Sequence, residues 1–384
     1  MPGAHAKLSA SGAHRWLACP GSVQLEQHFE DTTSAYAEEG TLAHAVAELK
    51  LTKYFKGMGP KKFSNVMAEF EKSPHWSREI DTMTDVYVDE IKRLALVYPS
   101  EPFINIEERL DFSEWAPEGF GTADYLMIYG DQLTVCDLKY GKGVPVEATE
   151  NPQGLLYMLG AYAAYRFIYD IKRARFGIIQ PRLDAVKYWE ISVDDLLAFG
   201  EKVKPIARQA FDGCDEFHAG EHCRFCKAKA KCGERGQQMF KVVETINHTD
   251  KSLLSHAEIG AMLGKCKGVA DWISDLEDMA LAELLKGEKI DGYKVVEGRS
   301  NRKITDEPRL ASALEGAGFD EAVIYKPRAL ETITNLEKIV GKADFAKLAK
   351  GCIEKPQGKP TLVPESDKRP PYVKDFGFEK NIKI

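Results

Sequence analysis

Apolar positions recur at helical spacing in two long segments near the start of the chain. Between Tyr36 and Phe55, the residues Leu42, Val46, Leu49 and Phe55 fall close to one face, and the stretch from Ile80 to Val97 repeats the pattern. A shorter helix is expected ahead of them, capped by Ser11, running to Leu17 and ended by the breakers Cys19-Pro20-Gly21. The period then changes. Phe103 to Phe112, Thr122 to Tyr129 and Gln132 to Tyr140 are short runs rich in β-branched and aromatic residues, separated by Pro117-Glu118-Gly119 and Gly130-Asp131. Helix returns from Pro152 to Tyr169, a strand follows from Arg175 to Pro181, and another helix from Val193 to Phe211. This order predicts an α/β fold with a mixed sheet flanked by helices. A Cys-rich and Lys-rich segment, 212–235, closes a first domain of residues 1–235. Residues 236–353 read mainly as helix, from Ser252 to Cys266 and from Val269 to Lys286, with a strand or hairpin from Gly292 to Ile304. The remainder, 354–384, is rich in Pro, Lys and Asp and reads as an extended, partly disordered tail.

Composition narrows the class without naming a function. With 384 residues, 44% hydrophobic and 29% charged, the chain has room for a buried core without disulfide staples. It contains no apolar run of the ~18 residues that a membrane span requires, and its start, Met1-Pro2-Gly3-Ala4-His5, lacks a basic-then-apolar leader. No membrane association and no export are therefore expected, and the eight cysteines are not expected to be a disulfide framework. A net charge of −7 gives no global signature of nucleic-acid binding, which leaves local basic surfaces to be judged separately.

The chemistry concentrates in the third strand, which reads Leu133-Thr-Val-Cys-Asp137-Leu138-Lys139-Tyr140. Asp137 and Lys139 are two apart and share a face of an otherwise apolar run, where unpartnered charges are costly. Asp124, in Gly121-Thr122-Ala123-Asp124 of the preceding strand, brings a second carboxylate to the same end of the sheet. Two carboxylates and an ammonium suit metal-assisted phosphodiester hydrolysis, with Mg²⁺ or Mn²⁺ on the carboxylates. A plain Asp–Lys ion pair at a strand end is the alternative. Upstream, His44 in Gly40-Thr41-Leu42-Ala43-His44 adds an imidazole, and downstream Gln153 and Tyr157, four apart on a helix, add an amide and a phenol.

Taken together, these motifs resemble the PD-(D/E)XK nuclease superfamily, and within it the RecB-like branch: G-x-x-x-H at 40–44, G-x-x-D at 121–124, D-x-K at 137–139 and Q-x-x-x-Y at 153–157. The resemblance implies a restriction-endonuclease-like core with Asp124 and Asp137 as principal metal ligands, completed by His44 and the Leu138 carbonyl. It further implies Lys139 as the catalytic lysine, with Gln153 and Tyr157 organising the site. Glu107 or Glu108 would add one more carboxylate, and strand alternation does not choose between them. The superfamily's proline is replaced by Ala123, a position that is not a ligand.

Cys223-x₂-Cys226-x₅-Cys232 offers three thiolates, and Cys19, Cys214, His218 or His222 is available as a fourth ligand. Spacing alone leaves Zn²⁺ and an iron–sulfur cluster both open. The resemblance favours a 4Fe-4S cluster, because RecB-like nucleases of this kind take one cysteine before the core and three after it. That assigns Cys19, Cys223, Cys226 and Cys232. Basic candidates for phosphate contact are Arg224, Lys227, Lys229, Lys231 and Arg235 around the cysteines, Lys172, Arg173 and Arg175 before the fourth strand, Lys142 beside Tyr140, and Arg299, Arg302 and Lys303 further on.

The chain also resembles phage- and prophage-encoded members of the superfamily. The expected function is thus a metal-dependent deoxyribonuclease, an exonuclease on single strands or DNA ends, acting in phage replication or recombination in the cytoplasm of a bacterial host. A phage helicase, annealing or single-strand-binding protein is the expected partner. No G-x-x-x-x-G-K-[ST] loop is present, so ATP-driven unwinding is not expected. A DNA-binding or recombination-scaffold module without turnover and a zinc-stabilised interaction protein are the alternatives.

Overall fold

A computed structural model describes residues 6–29, 35–247, 254–296 and Gly341. All the elements below lie in the first of the chain's two compact units, Met1–Arg299. They are α1 (Ala13–Ala18), α2 (Ser22–Glu26), α3 (Ala35–Phe55), α4 (Pro60–Phe70), α5 (Arg78–Leu96), β1 (Phe103–Asp111), β2 (Phe120–Tyr129), β3 (Gln132–Leu138), α6 (Pro152–Tyr165), β4 (Arg173–Gln180), β5 (Ala185–Ser192), α7 (Val193–Asp212), α8 (Gly233–Asn247) and α9 (His256–Leu285).

The five strands form one mixed sheet in sequential order, antiparallel except where β3 runs parallel to β4. That parallel pair needs a crossover, which α6 supplies. Every residue of β3 is buried, because helices cover both faces of the sheet centre. On one face Trp16, Trp115, Leu156, Met158 and Phe176 form the larger core beneath α1, α6 and α7. On the other, Leu51, Tyr87, Ile91, Tyr125, Met127 and Leu138 pack beneath α3 and α5. The α/β class and the helical region after the sheet agree with the sequence pattern.

Local chemistry sets the element ends. Asn151 caps α6, its Oδ1 accepting from the N–H groups of Gln153 at 3.0 Å and Gly154 at 3.2 Å, with Pro152 in the first turn. Ser192 caps α7, and Ser255 with Glu258 forms a capping box on α9.

Several boundaries differ from the sequence pattern. Gly12, not Ser11, precedes α1. The third strand ends at Leu138, and the helix from Pro152 stops at Tyr165. The two helices expected from Ser252 to Lys286 are one, α9, because Gly268 lowers helix propensity without breaking the turn. α2, α4, α8 and the edge strand β5 were not anticipated. Residues 292–296 carry no strand. The rest of that expected hairpin, Arg299, Arg302, Lys303 and the 354–384 tail lie outside the described residues. No helix among the described residues is long and apolar enough to cross a membrane.

Candidate metal site

The alternation of faces slips by one residue in both β1 and β2 at the same level. Ile106 and its partner Tyr125 face α3 and α5, and so do Glu107 and Asp124, the next residues along. Glu107 adopts a left-handed backbone, φ 52°, which costs a non-glycine residue about 1–3 kcal/mol. That twist turns Glu107 towards α3 and sends Glu108 to the opposite face, where its carboxylate accepts from Tyr165 Oη at 3.2 Å. Of the two glutamates the sequence left open, Glu107 therefore enters the site and Glu108 does not.

His44 of α3, Glu107 of β1 and Asp124 of β2 each bring a ligand atom within 4.8 Å of the others. His44 Nδ1 lies 2.8 Å from Asp124 Oδ1, while Asp124 Oδ2 accepts from the Leu138 N–H at 2.6 Å. Leu138 thus touches this network through its amide. Burial opposes the charge on His44 but is outweighed by Asp124, with Asp137 and Glu107 adding, so the imidazole is pushed up to about 9. Burial, with repulsion from Asp124 and Glu48, pushes Glu107 up to about 7.

A second network lies beside this one at the end of β3. Lys139 Nζ is 2.9 Å from Asp137 Oδ2 and donates to Gln153 Oε1 at 2.9 Å. Gln153 Nε2 donates to Asp137 Oδ1 at 3.0 Å and to Tyr157 Oη at 3.1 Å. The D-x-K and Q-x-x-x-Y residues therefore converge as a unit. Burial raises the Asp137 pKa against the pull of Lys139, with Asp124 raising it further. Asp137 is not one of the three groups gathered within 4.8 Å, since Lys139 and Gln153 hold its oxygens. Its Oδ2 is buried and faces the Lys139 ammonium.

Arg182 was not anticipated. Its side chain is 6% exposed and pairs with Glu39 of α3 at 3.2 Å and Glu79 of α5 at 2.9 Å, while its guanidinium covers the buried Tyr140 ring at 4.6 Å. It ties α3 and α5 to the residue after Lys139. Nothing in its sequence neighbourhood signals this role.

Cys19, Cys223, Cys226 and Cys232 line one small enclosed cavity with Ser22, His218 and His222. The flanks are tied together by Arg15–Glu26 at 2.6 Å, by Lys227 N–H donating to Glu26 at 2.8 Å, and by Gly21 N–H donating to the Glu216 carbonyl at 2.9 Å. The His218 N–H donates to Cys19 Sγ and the Gly220 N–H to Cys223 Sγ, both at 3.4 Å. Burial pushes the Cys226 thiol up to about 12 and raises that of Cys19. Among the described residues, no three of these thiols come within 4.8 Å of one another. Cys214 stands outside the cavity lining.

The basic residues singled out in the sequence are largely neutralised. Lys229 and Arg235 share Asp275, Lys231 meets Glu283, Lys172 meets Asp170, Arg173 meets Asp131, and Arg175 meets Glu190.

The chain belongs to the family described as "Protein of unknown function (DUF2800)", whose pattern matches residues 5–370. A solved structure described as "Crystal structure of SSO0001" is similar at 13% identity over 59% of this chain and 86% of that one, with a TM-score of 0.28.

Proposed function

We propose that this member of the DUF2800 family is a metal-dependent deoxyribonuclease of the PD-(D/E)XK type, acting on single strands or DNA ends. The observation that carries this reading is the meeting of His44, Glu107 and Asp124 within 4.8 Å, beside the Asp137–Lys139–Gln153 unit. One imidazole and several carboxylates are a hard, oxygen-rich donor set that fits Mg²⁺ or Mn²⁺. The cation would rest on His44, Glu107 and Asp124, with the Asp137–Lys139 pair alongside. When bound, it supplies charge to the phosphate and lowers the pKa of water.

The protein's own groups do the rest. Lys139, steadied by Asp137 and Gln153, sets an ammonium beside the reacting phosphate, where negative charge grows during displacement. Tyr157 fixes the Gln153 amide so that its Nε2 faces Asp137 and its Oε1 faces Lys139. Glu107 and His44 yield protons as a cation enters.

In this reading Cys19, Cys223, Cys226 and Cys232, which line one cavity, would hold a 4Fe-4S cluster. Backbone N–H groups aimed at two of the sulfurs are the partners that metal-bound thiolates take. A cluster there would pin α1 and α2 to the segment after α7.

The test is cleavage of end-labelled linear and circular single-stranded DNA with Mg²⁺ or Mn²⁺ by anaerobically purified protein, alongside Asp124→Asn and Lys139→Ala. Cleavage of the linear strand, lost in both variants, is expected, with the circle resistant. Folded, iron-loaded protein that cuts neither these nor duplex DNA would overturn the nuclease reading.

A further inference from the structure

Past the Glu107–Asp124 level, the sheet is covered on one face and open on the other. Leu110 and Ala123 are fully buried in the core beneath α6. A Cβ on Gly121 would strike Tyr157, 2.7 Å away, so Gly121 also faces α6. Alternation then puts Phe120 and Thr122 on the Asp124 face of β2, and Arg109 and Asp111 on the Glu107 face of β1. Arg109 and Thr122 oppose each other across the ladder. Arg109, Asp111 and Thr122 are exposed, and Phe120 is half-buried. The open strip is therefore continuous with the candidate metal site.

On this strip the Arg109 guanidinium carbon lies 3.9 Å from the centre of the Phe120 ring. No carboxylate among the described residues bridges Arg109, in contrast to the cations at Arg173, Arg175, Lys229 and Arg235. Asp111 shares the strip, with its carboxylate accepting from the Ser113 N–H at 2.8 Å. A guanidinium over an aromatic ring keeps N–H groups for phosphate, and the cation and ring together offer a base a surface to stack on. Two residues along a strand span about 7 Å, comparable to one nucleotide of an extended strand.

We propose that Arg109 and Phe120 form a binding subsite for a single DNA strand, one nucleotide from the phosphate held at the His44–Glu107–Asp124 site. Arg109 takes the neighbouring phosphate, and the Arg109–Phe120 stack supports a base. The choice of DNA as the ligand rests on the nuclease reading, whereas the location of the subsite rests on the strip itself.

The test measures fluorescence anisotropy of a labelled oligothymidylate with the full chain, without added divalent cation, for wild type, Arg109→Ala, Arg109→Lys, Phe120→Ala and Phe120→Leu. Arg173→Ala, which removes a paired cation, is the control. Arg109→Ala should weaken binding about tenfold and flatten the dependence of log affinity on log salt by about 0.7, one single-strand phosphate contact. Arg109→Lys should retain the salt slope and fall in between, Phe120→Ala should lose about five- to tenfold, and the control should stay within twofold. Equal binding by Arg109→Ala and wild type at matched melting temperature overturns the subsite, as does a wild type that binds no single strand. Arg109-dependent binding by folded, iron-loaded protein that cuts no DNA when Mg²⁺ or Mn²⁺ is added would instead remove the nuclease reading and leave the subsite standing.

Discussion

Gly154 lies in the first turn of α6, and a Cβ there would sit 2.2, 2.4 and 2.5 Å from Cδ1, Cγ and Cε1 of Phe176. Carbon atoms in contact prefer about 3.5–4.0 Å, so Gly154→Ala lacks more than an ångström of space. Phe176 is fully buried on β4, and its Cγ can move only by rotation about the Cα–Cβ bond, so the ring has little room to retreat. The start of α6 must move instead. Overpacking costs about 1–3 kcal/mol, while alanine returns about 0.5–1 kcal/mol of helix propensity. The net loss should be about 1–2 kcal/mol, or roughly 2–8 °C in melting temperature. The neighbouring Gln153 moves with the turn, and its bonds to Asp137 and Lys139, 3.0 and 2.9 Å long, have no slack for such a shift. Thermal and urea unfolding should show the loss, DNA cleavage should fall further than stability alone explains, and Phe176→Leu should restore part of both in the Gly154→Ala background. A melting temperature equal to or above wild type would refute the packing argument.

Three further expectations follow from the sites. Cation binding requires His44, protonated up to about pH 9, and Glu107, neutral up to about pH 7, to lose protons. Mn²⁺ affinity should therefore climb steeply below pH 7, where both protons are displaced, and more gently between 7 and 9. Calorimetric titration in buffers of different ionisation heat reads the released protons, and affinity that is flat from pH 6 to 9 would contradict this. Cys19→Ser should abolish visible absorption and bound iron in anaerobically purified protein and expose α1 to proteolysis; zinc in place of iron in the wild type would exclude the cluster. Arg182→Ala should cost about 2–3 kcal/mol, below the value for a fully buried pair, because Glu39 and Glu79 are 22% and 37% exposed. Urea unfolding measures it, and a loss under 0.5 kcal/mol would show that the Arg182 pairs add nothing net.

Local pattern was enough to reveal the α/β class, the three consecutive strands and the motifs that meet at the end of β3. Each depends on spacing within one element: Asp137 and Lys139 on one strand face, Gln153 and Tyr157 on one helix face, Asn151-Pro152 opening that helix. The edge strand β5, Ala185–Ser192, carried a readable signal in Val186, Tyr188, Trp189 and Ile191, and α9 was readable except for the weight given to Gly268.

Other features exist only after folding. Glu107 enters the site because a left-handed residue slips the face alternation in β1 and β2 together, which a period-two reading cannot foresee. Cys19 reaches the cavity of cysteines some two hundred positions later through the packing of α1 and α2. The cations that looked free along the chain are met by Asp275, Glu283, Asp131 and Glu190 from remote segments, while Arg109, unremarkable in sequence, lies over Phe120 with no carboxylate bridging it among the described residues. Spacing along the chain determines which side chains share an element's face; which faces meet, and which charges find partners, is decided by the packing of elements far apart in sequence.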